Sequence, residues 1–129
     1  MITEVAAWIA VAGFFGLMCF QILLALGFPY GKAAWGGKHV KLPPGLRVAS
    51  LLSAGVFVVL SLVVLERADI LTVFNNSTAV TIVVWILVSF LLLNTLGNFT
   101  SKSKPEKRIM TPISLVLALL CLIVAISSN

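Results

Sequence analysis

Four runs of apolar residues dominate the chain: Val5 to about Phe28, about Leu46 to Leu65, about Ala79 to Phe99, and about Ile109 to Ser127. Each is close to the ~20 residues that an α-helix needs to cross a hydrocarbon core. The polar residues inside the runs are few and uncharged. They are Gln21 in the first, Ser50, Ser53 and Ser61 in the second, Thr81, Ser89, Asn94, Thr95 and Asn98 in the third, and Thr111 and Ser114 in the fourth. No run alternates apolar with polar positions, as a membrane β-strand would over ~10 residues. The pattern predicts an all-α bundle of four transmembrane helices over residues 5–28, 46–65, 79–99 and 109–127, in one integral membrane domain, 1–129, built as two tandem helical hairpins.

Local signals mark the ends of these runs. Pro43-Pro44-Gly45 stops a continuous helix between the first two. Thr111-Pro112 suits a helix start, with Thr as cap and Pro in the first turn; the other arrangement is a helix that begins earlier and is bent by Pro112. The first run lacks a basic leading segment, carries Glu4 and exceeds the 7–15 apolar residues of a signal peptide, so it reads as a retained helix.

Composition sharpens the class. Of 129 residues 60% are hydrophobic and only 10% are charged, against ~25% charged in an ordinary soluble domain. The mean hydropathy is +1.15. A soluble fold of this size cannot hide that much apolar surface, and a disordered chain would not contain it. The net charge of +5 is unevenly placed. Lys32, Lys38, Lys41 and Arg47 lie in or beside the first loop, and Lys102, Lys104, Lys107 and Arg108 in the third, whereas Arg67 stands alone on the other side with Glu66 and Asp69. The bias of Lys and Arg toward cytoplasmic loops then places both termini outside and loops one and three in the cytoplasm. The cations fit anionic lipid headgroups as partners, and nucleic acid is not expected.

Several chemistries are excluded. Cys19 and Cys121 fall inside separate runs and form neither a redox pair nor a metal-ligand spacing. His39 is the only histidine, so two-histidine haem ligation within one chain is impossible, and no metal or other cofactor is expected. No Asp, Glu, Lys, Arg or His sits in the middle of a run, which argues against a proton- or ion-coupled transporter. Glu106 and His39 are the only acid–base candidates on the basic side, and they do not form a pair in sequence, so the protein is not expected to be an enzyme.

The polar residues within the runs gather toward the basic side, with Ser61 and Thr81 as exceptions and Ser89 near mid-depth. Gln21 lies in the inner part of the first helix, Ser50 and Ser53 begin the second, Asn94, Thr95 and Asn98 end the third, and Thr111 and Ser114 begin the fourth. Asn94 and Asn98 share a helix face. Either they make interhelical hydrogen bonds, worth ~0.6 kcal/mol each, or they line a vestibule open to the cytoplasm. In the second case Gln21, Asn94 and Asn98 converge between helices one and three, the segment Tyr30–His39 roofs them, and Lys32, Lys38, Arg47 and Arg108 ring the mouth. Tyr30 and Trp35 belong either to that roof or to the interfacial aromatic belt. Ala12-x-x-x-Gly16 and Ala49-x-x-x-Ser53 are expected helix-packing pairs. Arg47-Val-Ala-Ser50-Leu-Leu-Ser53 also matches Arg108-Ile-Met-Thr111-Pro-Ile-Ser114, which suggests a repeated hairpin with Arg47 and Arg108 at one depth.

The loops carry a resemblance. Gly27-Phe28-Pro29-Tyr30-Gly31, Trp35-Gly36-Gly37 and Leu42-Pro43 in the first half, with Leu93-Asn94-Thr95-Leu96-Gly97-Asn98 and Glu106-Lys107-Arg108-Ile109-Met110-Thr111-Pro112 in the second, resemble a group of small bacterial four-helix membrane proteins of unknown function. The resemblance implies a bacterial inner-membrane protein and supplies no activity. The expected role is non-catalytic binding of a lipid headgroup or a membrane partner at the cytoplasmic face. A small oligomeric transporter or channel subunit is the second expectation, and a lipid-acting membrane enzyme the third.

Overall fold

A computed structural model describes residues 1–127; the last two residues of the domain read as 1–129 lie outside the described residues. Four α-helices follow in order: α1 (Ile2–Ala25), α2 (Pro44–Arg67), α3 (Ser77–Phe99) and α4 (Thr111–Ser127). The first loop holds two 3-10 turns, Gly31–Ala33 and Trp35–Gly37, and a π turn, Glu106–Met110, runs directly into α4. All four helical segments are long and apolar enough to cross a membrane, and the chain is a multi-pass membrane protein. Between 22% and 33% of each apolar window is buried inside the bundle, so most apolar side chains face outward, where lipid replaces water.

Helix ends follow local chemistry. Glu4 sits in the first turn of α1, 3.3 Å from the terminal ammonium, where a negative charge suits the helix dipole. α1 stops at Ala25, three residues before the expected end, because Gly27 takes φ +98° and the Phe28 N–H closes on the Leu23 carbonyl. Pro44 opens α2, a position where its missing N–H costs nothing. Asn76 caps α3 by accepting the Ala79 N–H at 3.0 Å.

Thr111 is not a helix cap. It has helical φ −60° and ψ −54°, and its hydroxyl is buried without a partner. The helix begins earlier, and the segment before Pro112 widens into the π turn. Pro112 has no N–H for the Arg108 carbonyl and its ring crowds that oxygen; the wider turn accommodates both.

The closest pairs are α1 with α2 and α3 with α4, as two hairpins. α4 also packs on α1, and α2 more loosely on α3, so α1 and α3 occupy opposite corners of the ring. The core fills the end that carries the termini: Ala6, Ala7, Ala10 and Phe14 of α1 meet Val63 to Leu65, Val84, Leu87, Leu117, Ala118 and Cys121. Phe14 stacks on Phe57 at 5.9 Å. Small residues bring α1 close to α4, since a Cβ on Gly13 would lie 2.7 Å from Leu117. The expected Ala12–Gly16 packing pair faces outward instead: Ala12 is exposed and Gly16 has open space around it. At this end Glu66 accepts the N–H groups of Val73, Phe74 and Asn75 at 2.6–3.0 Å and so holds the α2–α3 connection, while Arg67 donates to the Ala125 carbonyl at 2.7 Å.

The residues matched by the sequence repeat are used differently in the two hairpins. Arg47 lies in a regular first turn and donates to the Ala25 carbonyl at 2.8 Å, whereas Arg108 lies exposed in the π turn. Ser50 receives Trp35, while Ser114 receives two asparagines.

A candidate headgroup-binding site at the basic end

The opposite end of the bundle is not filled. A cavity of 230 Å³ lies there, lined by side chains from all four helical segments and the first loop: Gln21 and Phe20 from α1, Ser53 and Phe57 from α2, Phe90, Asn94 and Asn98 from α3, Glu106 and Ser114 from the fourth segment, and Ala33 to Trp35 from the loop. A single water needs about 10–15 Å³ on this measure, so the space suits a larger group. The three asparagine and glutamine side chains named from sequence do line one space. Because α1 and α3 are diagonal, that space is the centre of the bundle and not a seam between two adjacent helices.

The polar groups are tied in a definite way. Asn94 and Asn98 both donate from Nδ2 to Ser114 Oγ, at 3.2 and 3.0 Å. Asn98 is 9% exposed, while Asn94 is exposed at the rim. Trp35 Nε1 donates to Ser50 Oγ at 2.9 Å and fixes the roof to α2. Glu106 is 7% exposed, and its Oε2 accepts the Gly36 N–H at 3.1 Å. The Gln21 Oε1 is buried and unpartnered. Trp35, Phe90 and Asn94 are the exposed liners, so the open side runs along α3 where it faces α2.

Beside the cavity lies a basic cleft of 580 Å³, bordered by Lys32, Lys38, Lys102 and Lys104, with Gly36, Gly37 and Gly97. Glu106 borders both spaces. The cleft exists because the first and third loops interlock: the Ser103 hydroxyl donates to the Lys32 carbonyl and the Gly36 N–H to Glu106. Within the first loop the Gly31 N–H donates to the Val40 carbonyl at 2.8 Å.

The other expected residues fall elsewhere. Lys32 and Lys38 belong to the cleft and not to the mouth of the cavity. Arg47 is spent on the end of α1, with its guanidinium over Gly27, because the last carbonyls of a helix need donors. Arg108 points away with the exposed residues of the π turn. Tyr30 stacks on Phe28 at 6.0 Å and borders a separate apolar groove between α1 and α4. Only Ala33 to Trp35, and not the whole Tyr30–His39 segment, roofs the cavity.

Sequence reasoning missed Glu106 as a cavity residue and the grouping of Lys102 and Lys104 with Lys32 and Lys38. One signal was present: Glu106 is the single acid in a loop of cations, directly after Pro105. Comparison with protein-family models, with curated proteins and with solved structures finds no match.

Proposed function

We propose that the protein is a non-catalytic membrane protein that binds a phosphate-bearing lipid headgroup at its basic face. The observation that carries this reading is the meeting of a four-lysine cleft with a polar cavity whose open side lies along the lipid-facing flank of α3. The packed core closes the other end of the bundle, which favours a binding pocket over a pore through a single chain. Surface lysines attract anionic headgroups with ~1 kcal/mol each, about fivefold in affinity. The variant Lys38→Gln with Lys102→Gln is therefore expected to weaken binding of a short-chain phosphatidylglycerol by roughly 30-fold, read by native mass spectrometry from a maltoside detergent. Unchanged affinity would remove the cleft from the reading.

The positive-inside bias supports a basic face in the cytoplasm with both termini outside, and the resemblance of the loop motifs points to a bacterial inner membrane. In a variant lacking Cys19 and Cys121, a cysteine at Ser77 should react with an impermeant reagent from outside, and one at Lys104 only after permeabilisation. Equal labelling from outside would reverse or abolish the assigned orientation.

A further inference from the structure

The proposed lipid site has an asymmetry that the phosphate does not use. Its cavity is lined by a carboxylate and three side-chain amides whose hydrogen-bonding capacity is only partly used among the described residues. Gln21 Oε1 is buried and unpartnered. Asn94 and Asn98 each donate one Nδ2 proton to Ser114, and among the described residues no donor reaches their Oδ1 atoms. Glu106 has one oxygen on the Gly36 N–H and the other unused. Trp35 Nε1 donates to Ser50 and Ser53 Oγ to the Ala49 carbonyl, so the N–H groups left in the cavity are neutral amide protons of Gln21, Asn94 and Asn98. Each side-chain amide offers an oxygen and two N–H groups and can turn to suit an occupant, so the preference of the site is set by Glu106, whose carboxylate only accepts.

The charge has the same sign. Glu106 is the one charged residue lining the cavity, and the lysines stand on its far side, in the cleft. The remaining walls are aromatic: Phe20, Trp35, Phe57 and Phe90. A carboxylate among aromatic faces favours a cation, and a cation with N–H groups can also bond the free Glu106 oxygen and the amide oxygens. An isolated anion in that space would face the Glu106 carboxylate with no cationic side chain lining the cavity to offset it.

Position supplies the rest. Phe90, Asn94 and Gly97 follow at i, i+4 and i+7 on one stripe of α3. Phe90 and Asn94 mark the open side of the cavity, and Gly97 borders the lysine cleft. One molecule can therefore place a phosphate among the lysines, an ammonium beyond Glu106, and a hydrocarbon chain down the exposed flank. Resting on the headgroup reading above, we propose that the cavity is an ammonium site and that the bound lipid is an amine-bearing phospholipid of the phosphatidylethanolamine class. Its primary ammonium donates to Glu106 and to the amide oxygens of Gln21 and Asn94.

The test compares short-chain phosphatidylethanolamine, phosphatidylcholine and phosphatidylglycerol, with free phosphoethanolamine as the soluble arm, on the full chain in maltoside. A choline headgroup has the same charge but no N–H donors. Phosphatidylethanolamine is expected to bind about tenfold tighter than phosphatidylcholine, since hydrogen bonds to charged groups carry the difference. Glu106→Gln keeps an oxygen for the Gly36 N–H and should bring phosphatidylethanolamine down to the phosphatidylcholine level while leaving phosphatidylglycerol bound. Gln21→Met, which touches neither loop, should give a smaller loss of the same preference. Equal binding of the ethanolamine and choline lipids, or a preference that survives both substitutions, overturns the ammonium site while phosphatidylglycerol binding keeps the headgroup reading. Free phosphoethanolamine binding as tightly as the lipid overturns the lipid as occupant. Loss of all three lipids overturns the headgroup reading itself.

Discussion

Gly31→Ala should unseat the first loop and abolish headgroup binding. A Cβ at this buried position would overlap the His39 carbonyl oxygen and lie 2.8 Å from the Val40 oxygen. Both obstacles are backbone, so neither can swing aside as a flexible side chain would. The Gly31 N–H also donates to Val40, and that bond cannot persist if the strand of loop at 39–40 is pushed back. Overpacking of this kind costs about 1–3 kcal/mol. Here the cost falls on the loop that supplies Trp35, Lys32 and Lys38, so binding should fall more steeply than the melting temperature of the bundle. Gly37→Ala should behave alike for two reasons: its φ is +71°, and a Cβ there would overlap Ser103 and approach the Lys32 oxygen at 2.9 Å. Gly55→Ala is the control, since the middle of α2 has open space at that position and alanine is the better helix former by about 0.5–1 kcal/mol. Thermal unfolding in detergent, with amide hydrogen exchange over residues 31–40, separates loop loss from bundle loss. If Gly31→Ala leaves both exchange and lipid binding unchanged, the interlocked loops do not form the site.

The sequence made the four helices legible because length and hydropathy alone decide whether a segment can span a membrane. The gathering of Gln21, Asn94, Asn98 and Ser114 at one end was legible for a related reason. Uncharged polar residues in an apolar run need partners, and helices that alternate in direction bring those residues to a common depth. What could not be read was which residues the loops carry inward. Glu106 and Lys107 are neighbours in a charged loop, yet one is buried against Gly36 and the other lies over the Phe99 ring at 5.2 Å. Their separation depends on the π turn, and that turn answers a conflict at Pro112 between backbone sterics and helix continuity. Arg47 and Arg108 occupy matched positions in a repeated heptapeptide, but only Arg47 stands next to open helix-end carbonyls. The Ala12–Gly16 pair shows the same limit. A small-residue spacing identifies a face that permits close approach, and only the arrangement of the other helices decides whether that face is used.

The Asn94–Ser114–Asn98 cluster divides stability from binding. Ser114→Val removes the one oxygen that both amides reach, and leaves Asn98 buried with no acceptor. A stranded buried donor costs about 1–3 kcal/mol, well above the ~0.6 kcal/mol average for a single interhelical polar contact in a membrane. Ser114→Val is therefore expected to lower the melting temperature clearly. Asn98→Leu on that background should recover part of the loss, because removing both partners leaves nothing unpaired. Asn94→Leu should differ. Asn94 lies at the open rim, where leucine suits the lipid-facing flank, and its loss takes one contact of the ~0.6 kcal/mol kind. The same substitution deletes an acceptor at the mouth of the cavity, so lipid affinity should drop several-fold while the bundle stays folded. If the cluster serves only to hold helices together, the order inverts: Asn94→Leu lowers the melting temperature and leaves affinity where it was. Measuring both quantities on the three variants decides between these outcomes, because a purely structural cluster has no means of lowering affinity without first loosening α3 from α4.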